Sequence, residues 1–443
     1  MKRRDVLGLF GAAAAAWPLR SVLAAAAAKT PADFFVLIHA SGGWDVTLWA
    51  DPRNEKKGLV DPASTENTDV APITQWKPQK LDGEDTFAIL DDGKLRLGPG
   101  IGELWDLRDR LTVVNGLAMN TVSHPDGTLF SATGRHLAGG RAPGSSIDVA
   151  LANEFGTSQL LPAVSINFPS SFYGESLDRR VIPLRVATAA TIAKSLSRGN
   201  DYLDDTDRGE ITAVLSEEAQ QLAGRSTYPE TYARIGSQLA ALPELTTGTL
   251  EKAFTQKALM DAYPSLPFKA RFQAAGALSA AFAVEAMKRD LVRCVGFTLG
   301  GLDTHNANYK QHAHIQQELF GVIASLIALL DQTPHPTMTG HKLADRTHIL
   351  VISDFCRTPQ INLSGGRDHY PNNSALVISP KFRGHTTFGK TDVEQLLPAD
   401  IPGFSDGPRP IAPPDLLATF LSAFGVDPRR YLRDGEVVKA MLK

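Results

Sequence analysis

Two apolar runs, each cut off by a carboxylate, constrain this chain more than any other feature. "LVRCVGFTLGG" stops at Asp303-Thr304-His305, and "THILVIS" stops at Asp354, which leads through "FCRTP" to "GGRDHY". Between them, "HAHIQQELFGVIASLIALLDQ" repeats its apolar residues at three- and four-residue spacing, the pattern of an amphipathic helix. Strand, helix and strand in succession make a parallel unit with a right-handed crossover. In open α/β sheets ligands gather just beyond the carboxyl ends of the strands. Asp303, His305, Asp354, Asp368 and His369 are therefore expected to face one crevice.

The N-terminal half repeats the theme. "FFVLIHASGGWDVTLW" reads as a buried strand from Phe34 to His39, a glycine turn, and then Asp45, placed either as a strand-end ligand or as a cap on the next turn. "LTVVNGLA" from Leu111 is a second buried strand, and it exits into a segment holding Ser123 and His124. A serine at such an exit is a nucleophile when a metal or a base activates it, and otherwise a helix cap. "PAVSIN", "IPLRVAT" and "SALVISP" are further strands, with "GHTTFGK" as an edge segment and "PPDLLATFLSAFG" as a closing helix. Residues 190–290 read as a helical insertion that either caps the crevice or covers a sheet face. His312 and His314, two apart on a helix, cannot share a face and read as surface or cap residues.

Composition narrows the function classes. The chain has 443 residues, 43% hydrophobic and 21% charged, and its net charge of −3 is well mixed, so no basic footprint for nucleic acid is present. The start, "MKRRDVLGLFGAAAAAWPLRSVLAAAAAKT", is expected to be a secretory signal over residues 1–28, with Arg3-Arg4 as a twin-arginine pair. Its apolar stretch from Val6 to Ala16 falls short of the roughly 20 residues a membrane span needs. The mature domain, 29–443, is then expected in the periplasm with no permanent membrane span. Only Cys294 and Cys356 occur. A disulfide is conceivable if their strands are neighbours, and buried free thiols are the simpler expectation.

If Asp45, Asp303, Asp354 and Asp368 converge, they cannot all stay ionised alone. Two carboxylates about 4 Å apart repel by about 4 kcal/mol at an effective dielectric near 20. A bound divalent cation relieves this, and His305 and His369 as nitrogen donors favour zinc, manganese or iron over calcium. One or two ions with an open position would polarise an ester oxygen and activate water or a hydroxyl. Arg357 would hold an anionic oxygen by charge-assisted hydrogen bonds. A dinucleotide-dependent oxidoreductase is disfavoured, because "HASGGWD" lacks the G-x-G-x-x-G spacing.

The leading twin arginine, "GGWD", "SH", "GGLDTH", "SDFCRTP" and "GGRDHY" together resemble the DUF1501 family of exported bacterial proteins, over essentially the whole mature chain. That family is similar to the alkaline phosphatase and sulfatase superfamily. The resemblance implies an α/β fold with a mixed, mostly parallel central sheet between helices, and a phosphate or sulfate ester hydrolase using two metal ions on a small-molecule or polymer substrate. On this basis Asp45, Asp303, His305, Asp354, Asp368 and His369 would be metal ligands, and Ser123, His124 and Arg357 would be catalytic. Two departures stand out: the Asp303–His305 spacing is shorter than the superfamily's usual one, and Phe355 stands where many of its enzymes carry histidine. The alternative is a non-catalytic binding or assembly protein of the cell envelope.

Overall fold

Eight strands build one central sheet: β1 (Phe34–Ala40), β2 (Leu111–Ala118), β3 (Leu161–Ile166), β4 (Leu184–Val186), β5 (Val292–Leu299), β6 (Thr347–Ser353), β7 (Asn372–Ile378) and β8 (Thr386–Phe388). Across the sheet they run β8-β2-β7-β6-β1-β5-β3-β4. Every pairing is parallel except those of β7, which is antiparallel to both β6 and β2. The sheet is thus mixed and mostly parallel, as the sequence leads one to expect. This computed structural model describes residues 33–63, 79–81, 84–86, 89–174, 176–195, 205–225, 232 and 249–443. The expected signal at 1–28 lies outside the described residues, as does the helical stretch "ETYARIGSQLAAL" apart from Tyr232.

The helices that clamp the sheet are α1 (His124–Thr133), α2 (Ile147–Phe155), α3 (Ala274–Lys288), α4 (Ala313–Gln332) and α5 (Pro413–Ala423). Phe34, Val36 and Ile38 of β1 pack with α3 and α4 on one face, while Phe35 and Leu37 pack with α2 and α5 on the other. A parallel strand covered on both sides needs apolar residues at every position, which is why β1 reads as an unbroken run. Truncating such a residue, for example Leu37→Ala, is expected to cost about 2–5 kcal/mol.

The region expected to be a helical insertion divides in two. Helix α3 is buried over most of its length within the sheet core, so this part covers a sheet face. The helix Asp205–Ala223 instead exposes Ile211, Val214 and Leu215. Among the described residues, α4 is long and apolar enough to cross a membrane, yet 67% of its apolar window is buried inside the fold.

Both cysteines are buried and free. Cys294 lies near the start of β5, opposite Phe35, whereas Cys356 follows the end of β6, past the Ser353–Ala40 pairing. At about 3.3 Å per residue along parallel strands this separates them by more than about 15 Å, far beyond disulfide reach.

Candidate functional site

Strands β1, β2, β5 and β6 point the same way, so the segments that follow them meet at one edge of the sheet. The turn after β1 carries Gly42 and Gly43 at φ of 111° and 77°, a conformation that side chains rarely adopt. A Cβ on Gly42 would lie 2.3 Å from the backbone nitrogen of Asp303. Without side chains, the turn can press against the β5 exit and aim two N–H groups at Asp354. Gly42 and Gly43 donate to Asp354 Oδ1 at 3.2 and 2.6 Å, and the Ser353 hydroxyl lies 2.8 Å from the same oxygen.

Asp354 Oδ2 faces His124, whose Nδ1 makes a short hydrogen bond to it. His124 opens α1, and Gly127 in the first turn lets that helix sit against the Asp354 backbone, since a Cβ there would be 2.2 Å from its carbonyl oxygen. Burial pushes the Asp354 carboxyl up, but the His124 hydrogen bond and the nearby His39 and His124 imidazoles outweigh it, leaving the group below its ordinary value. The same hydrogen bond holds His124 above the usual imidazole range. His39, buried on β1 behind this pair, is pushed down by burial.

Two more imidazoles are held in the same manner. His369 Nδ1 donates to the Val122 carbonyl at 2.8 Å, and His305 Nδ1 donates to Asp368 Oδ1 at 2.7 Å. Asn362 steadies Asp368 from the other side at 3.2 Å. Carboxylates and carbonyls only accept, so all three Nδ1 atoms carry a proton, and Nε2 is the ring nitrogen that each imidazole turns into the cluster. These Nε2 atoms converge on one oxygen, Asp303 Oδ1, at 3.3 Å from His124, 3.5 Å from His369 and 3.0 Å from His305. His124 Nε2 and His369 Nε2 are themselves 3.1 Å apart. Lone pairs packed this closely around a carboxylate oxygen repel unless a proton or a cation lies between them. Such a donor set, with an oxygen acceptor behind each imidazole, could hold a metal ion. His124, Asp303 and His369 form the tightest group, with ligand atoms all within 4.8 Å of one another.

Asp303 keeps its charge. Burial raises its carboxyl, but the Arg357 hydrogen bond and charge, with His124 and His305 nearby, together outweigh it and bring it down to about 2. Arg357 itself is fully buried. It donates to Asp303 Oδ1 at 2.6 Å, to Gly43 O at 2.8 Å, to Arg367 O at 3.2 Å, and to Gly42 O. The role expected of it, holding a substrate oxygen, does not match this placement, because its donors are engaged inside the protein. Phe355 lies under the cluster, its ring centroid 4.6 Å from those of both His124 and His369.

The other expected site residues stand elsewhere. Asp45 caps a short 3-10 turn, and its carboxylate is fully occupied by Thr47, Asn308 and Arg367. Asp354 and Asp368 orient histidines and do not themselves point into the cluster of Nε2 atoms. Ser123 is the exposed residue before α1, and its hydroxyl makes no cap hydrogen bond. His312, read as a surface or cap residue, is instead buried under Asp45. The Asp45 N–H donates to His312 Nε2 at 2.9 Å, and His312 Nδ1 lies 2.7 Å from the Thr304 hydroxyl. Sequence reasoning missed the Val122 carbonyl and Asn362, since neither residue type signals an outer-shell role, and it passed over His39 as a strand residue.

Comparison with known proteins places these residues in a family. No curated protein matches the chain. Among solved structures, it is similar to the PsFucS1 sulfatase from Pseudoalteromonas sp., at 12% identity and a TM-score of 0.36 over 95% of this chain and 74% of that one. It is also similar to the alkaline phosphatase from the Antarctic bacterium TAB5, at 11% identity and a TM-score of 0.32 over 80% of this chain and 93% of that one. The lipoteichoic acid synthase LtaP from Listeria monocytogenes follows at 7% identity and a TM-score of 0.35, over 90% and 73% of the two chains. The family model described as "Protein of unknown function (DUF1501)" matches residues 35–436, and the chain belongs to that family.

Proposed function

We propose that this chain is an exported, metal-dependent hydrolase of phosphate or sulfate esters, with His124, His369 and Asp303 holding a divalent transition metal. One observation carries the reading: three imidazoles, each with Nδ1 fixed by an oxygen acceptor, turn Nε2 toward the same carboxylate oxygen. The chemistry such an ion supplies is polarisation of an ester oxygen and acidification of water. Asp354 and the Val122 carbonyl keep His124 and His369 in the tautomer that ligation needs. His305 lies at the edge of the tight group and is half exposed, with Asp368 behind its Nδ1. It is suited to carry a proton at Nε2 to the leaving oxygen. Water is the nucleophile in this reading, since the Ser123 hydroxyl is exposed with no partner to activate it. The leader expected at 1–28 supports export to the periplasm.

The test is hydrolysis of 4-nitrophenyl phosphate and 4-nitrophenyl sulfate by protein loaded with Zn2+, Mn2+ or Fe2+. Activity toward one ester, abolished by a chelator and by His369→Ala, is expected. The engagement of Arg357 within the protein favours the second reading, a binding or assembly component. Tight metal binding with neither ester cleaved would select it.

A further inference from the structure

The aspartates Asp45, Asp303, Asp354 and Asp368 are neutralised in different ways. The geometry points to a centre that holds a single ion, in which the buried guanidiniums of Arg357 and Arg367 supply the positive charge that a second cation would bring. This rests on the metal reading above and adds to it the number of ions and the reason for that number.

Asp45 provides the first argument. An ionised carboxylate offers about four lone-pair sites. Asp45 Oδ1 accepts from the Thr47 N–H at 2.9 Å and the Thr47 hydroxyl at 2.6 Å, while Oδ2 accepts from Asn308 at 2.7 Å and is paired with Arg367 Nε at 3.0 Å. Both Asp45 and Arg367 side chains are wholly buried. Arg367 Nε stands at the remaining position as an ion pair and not as a hydrogen-bond donor, and an ion on Asp45 would have to take its place, which would leave Arg367 as an unpaired interior charge.

Arg357 provides the second. Its Nη2 is 2.6 Å from Asp303 Oδ1, and its contacts to the carbonyls of Gly42, Gly43 and Arg367 prevent it from swinging away. A fixed guanidinium therefore already occupies one side of Asp303, and the imidazoles of His124, His369 and His305 occupy the other. Among the described residues, His124, Asp303 and His369 are the group of metal-ligating side chains close enough to share an ion.

The experiment is calorimetric titration of the metal-stripped full chain with Zn2+ and with Mn2+, checked by elemental analysis after dialysis. Saturation at one ion per chain is expected, with affinity falling more than about 100-fold in Asp303→Asn. The double variant Asp45→Asn/Arg367→Gln, which removes both members of the buried pair, should still saturate at one ion per chain. Two ions per chain would overturn this inference while leaving the metal reading intact, as would loss of an ion in the Asp45 variant. No binding by the wild-type chain would overturn the metal reading and this inference with it. The wild-type count needs no variant to fold.

Discussion

Asp45 and Asp303 follow the ends of neighbouring strands β1 and β5, and both sit in the place where a metal-ligating aspartate is expected. The Asp45 side chain is wholly buried, whereas Asp303 is 53% exposed. One is closed by four contacts from Thr47, Asn308 and Arg367, and the other is left facing three imidazole nitrogens. The strand end sets where a carboxylate arrives, and the partners brought by distant segments set what it does there. The largest expected effect comes from opening the closed site. Arg367→Met strips Asp45 of its buried counter-charge and is expected to destabilise the fold by about 3–5 kcal/mol in denaturant unfolding. Asp303→Asn should cost less, at most about 2 kcal/mol, because Asp303 is half exposed and the carbonyls of Gly42, Gly43 and Arg367 still accept from the buried Arg357. Equal losses for the two variants would erase the distinction between the sites.

Titration separates the same two regions by sign. Burial pushes His312, under Asp45, down to about 4, and protonating its Nε2 would remove the acceptor of the Asp45 N–H. The unfolded chain takes up that proton near pH 6.5 and the folded chain only near 4, so stability falls as pH drops through this window. The share due to His312 is up to about 3 kcal/mol, and His39 and His348, also pushed down by burial, act with the same sign. His124 in the open site behaves oppositely. Its pKa is raised, so in the metal-free chain its contribution is present at low pH and is lost as pH rises through the folded value. Unfolding curves for wild type and His312→Asn between pH 7 and pH 4 should diverge, with the variant showing the shallower slope. Parallel slopes would mean that His312 is not held neutral.

Much of this contrast was legible in sequence, but not its decisive part. Strands β1, β5 and β6 were visible because burial on both faces demands unbroken apolar runs, and their carboxylate exits followed from the parallel arrangement. The antiparallel course of β7 was not visible, since "SALVISP" reads alike in either direction and the loops before it fix its orientation. The arrangement of His124 and Asp354 was hidden for a similar reason. Sequence shows two ligand-type residues, while the choice of which one turns into the cluster depends on which imidazole nitrogen meets a carboxylate across 230 residues of chain. The occupancy of Asp45 rests on Asn308, which carries no motif, and on Arg367, which stands inside "GGRDHY" although nothing in that motif reveals its partner.

Support behind the open site is the next test. Asp354 touches the candidate ion only through His124, so Asp354→Asn should lower metal affinity by about 10–100-fold and leave the number of ions unchanged. The asparagine amide can still accept from Gly42 and Gly43, which preserves the turn while weakening the grip on His124 Nδ1. A change in ion count in this variant would make Asp354 a direct ligand, returning it to the role its strand-end position first suggests.

The smallest effect is expected at Ser123. Its exposed hydroxyl precedes α1 without capping it, and the buried partners that define both regions lie elsewhere. Removing it should alter stability by no more than about 0.5 kcal/mol, as for a surface substitution with no satisfied polar contact to lose. If water is the nucleophile, Ser123→Ala should also retain ester hydrolysis to within about threefold, whereas a serine that forms a covalent intermediate would lose at least about 1000-fold on truncation. Rapid-mixing kinetics separates the two cases further: a product burst in wild type that vanishes in Ser123→Ala would move the covalent step onto this residue, and the open site would then consist of a metal centre together with the serine beside it.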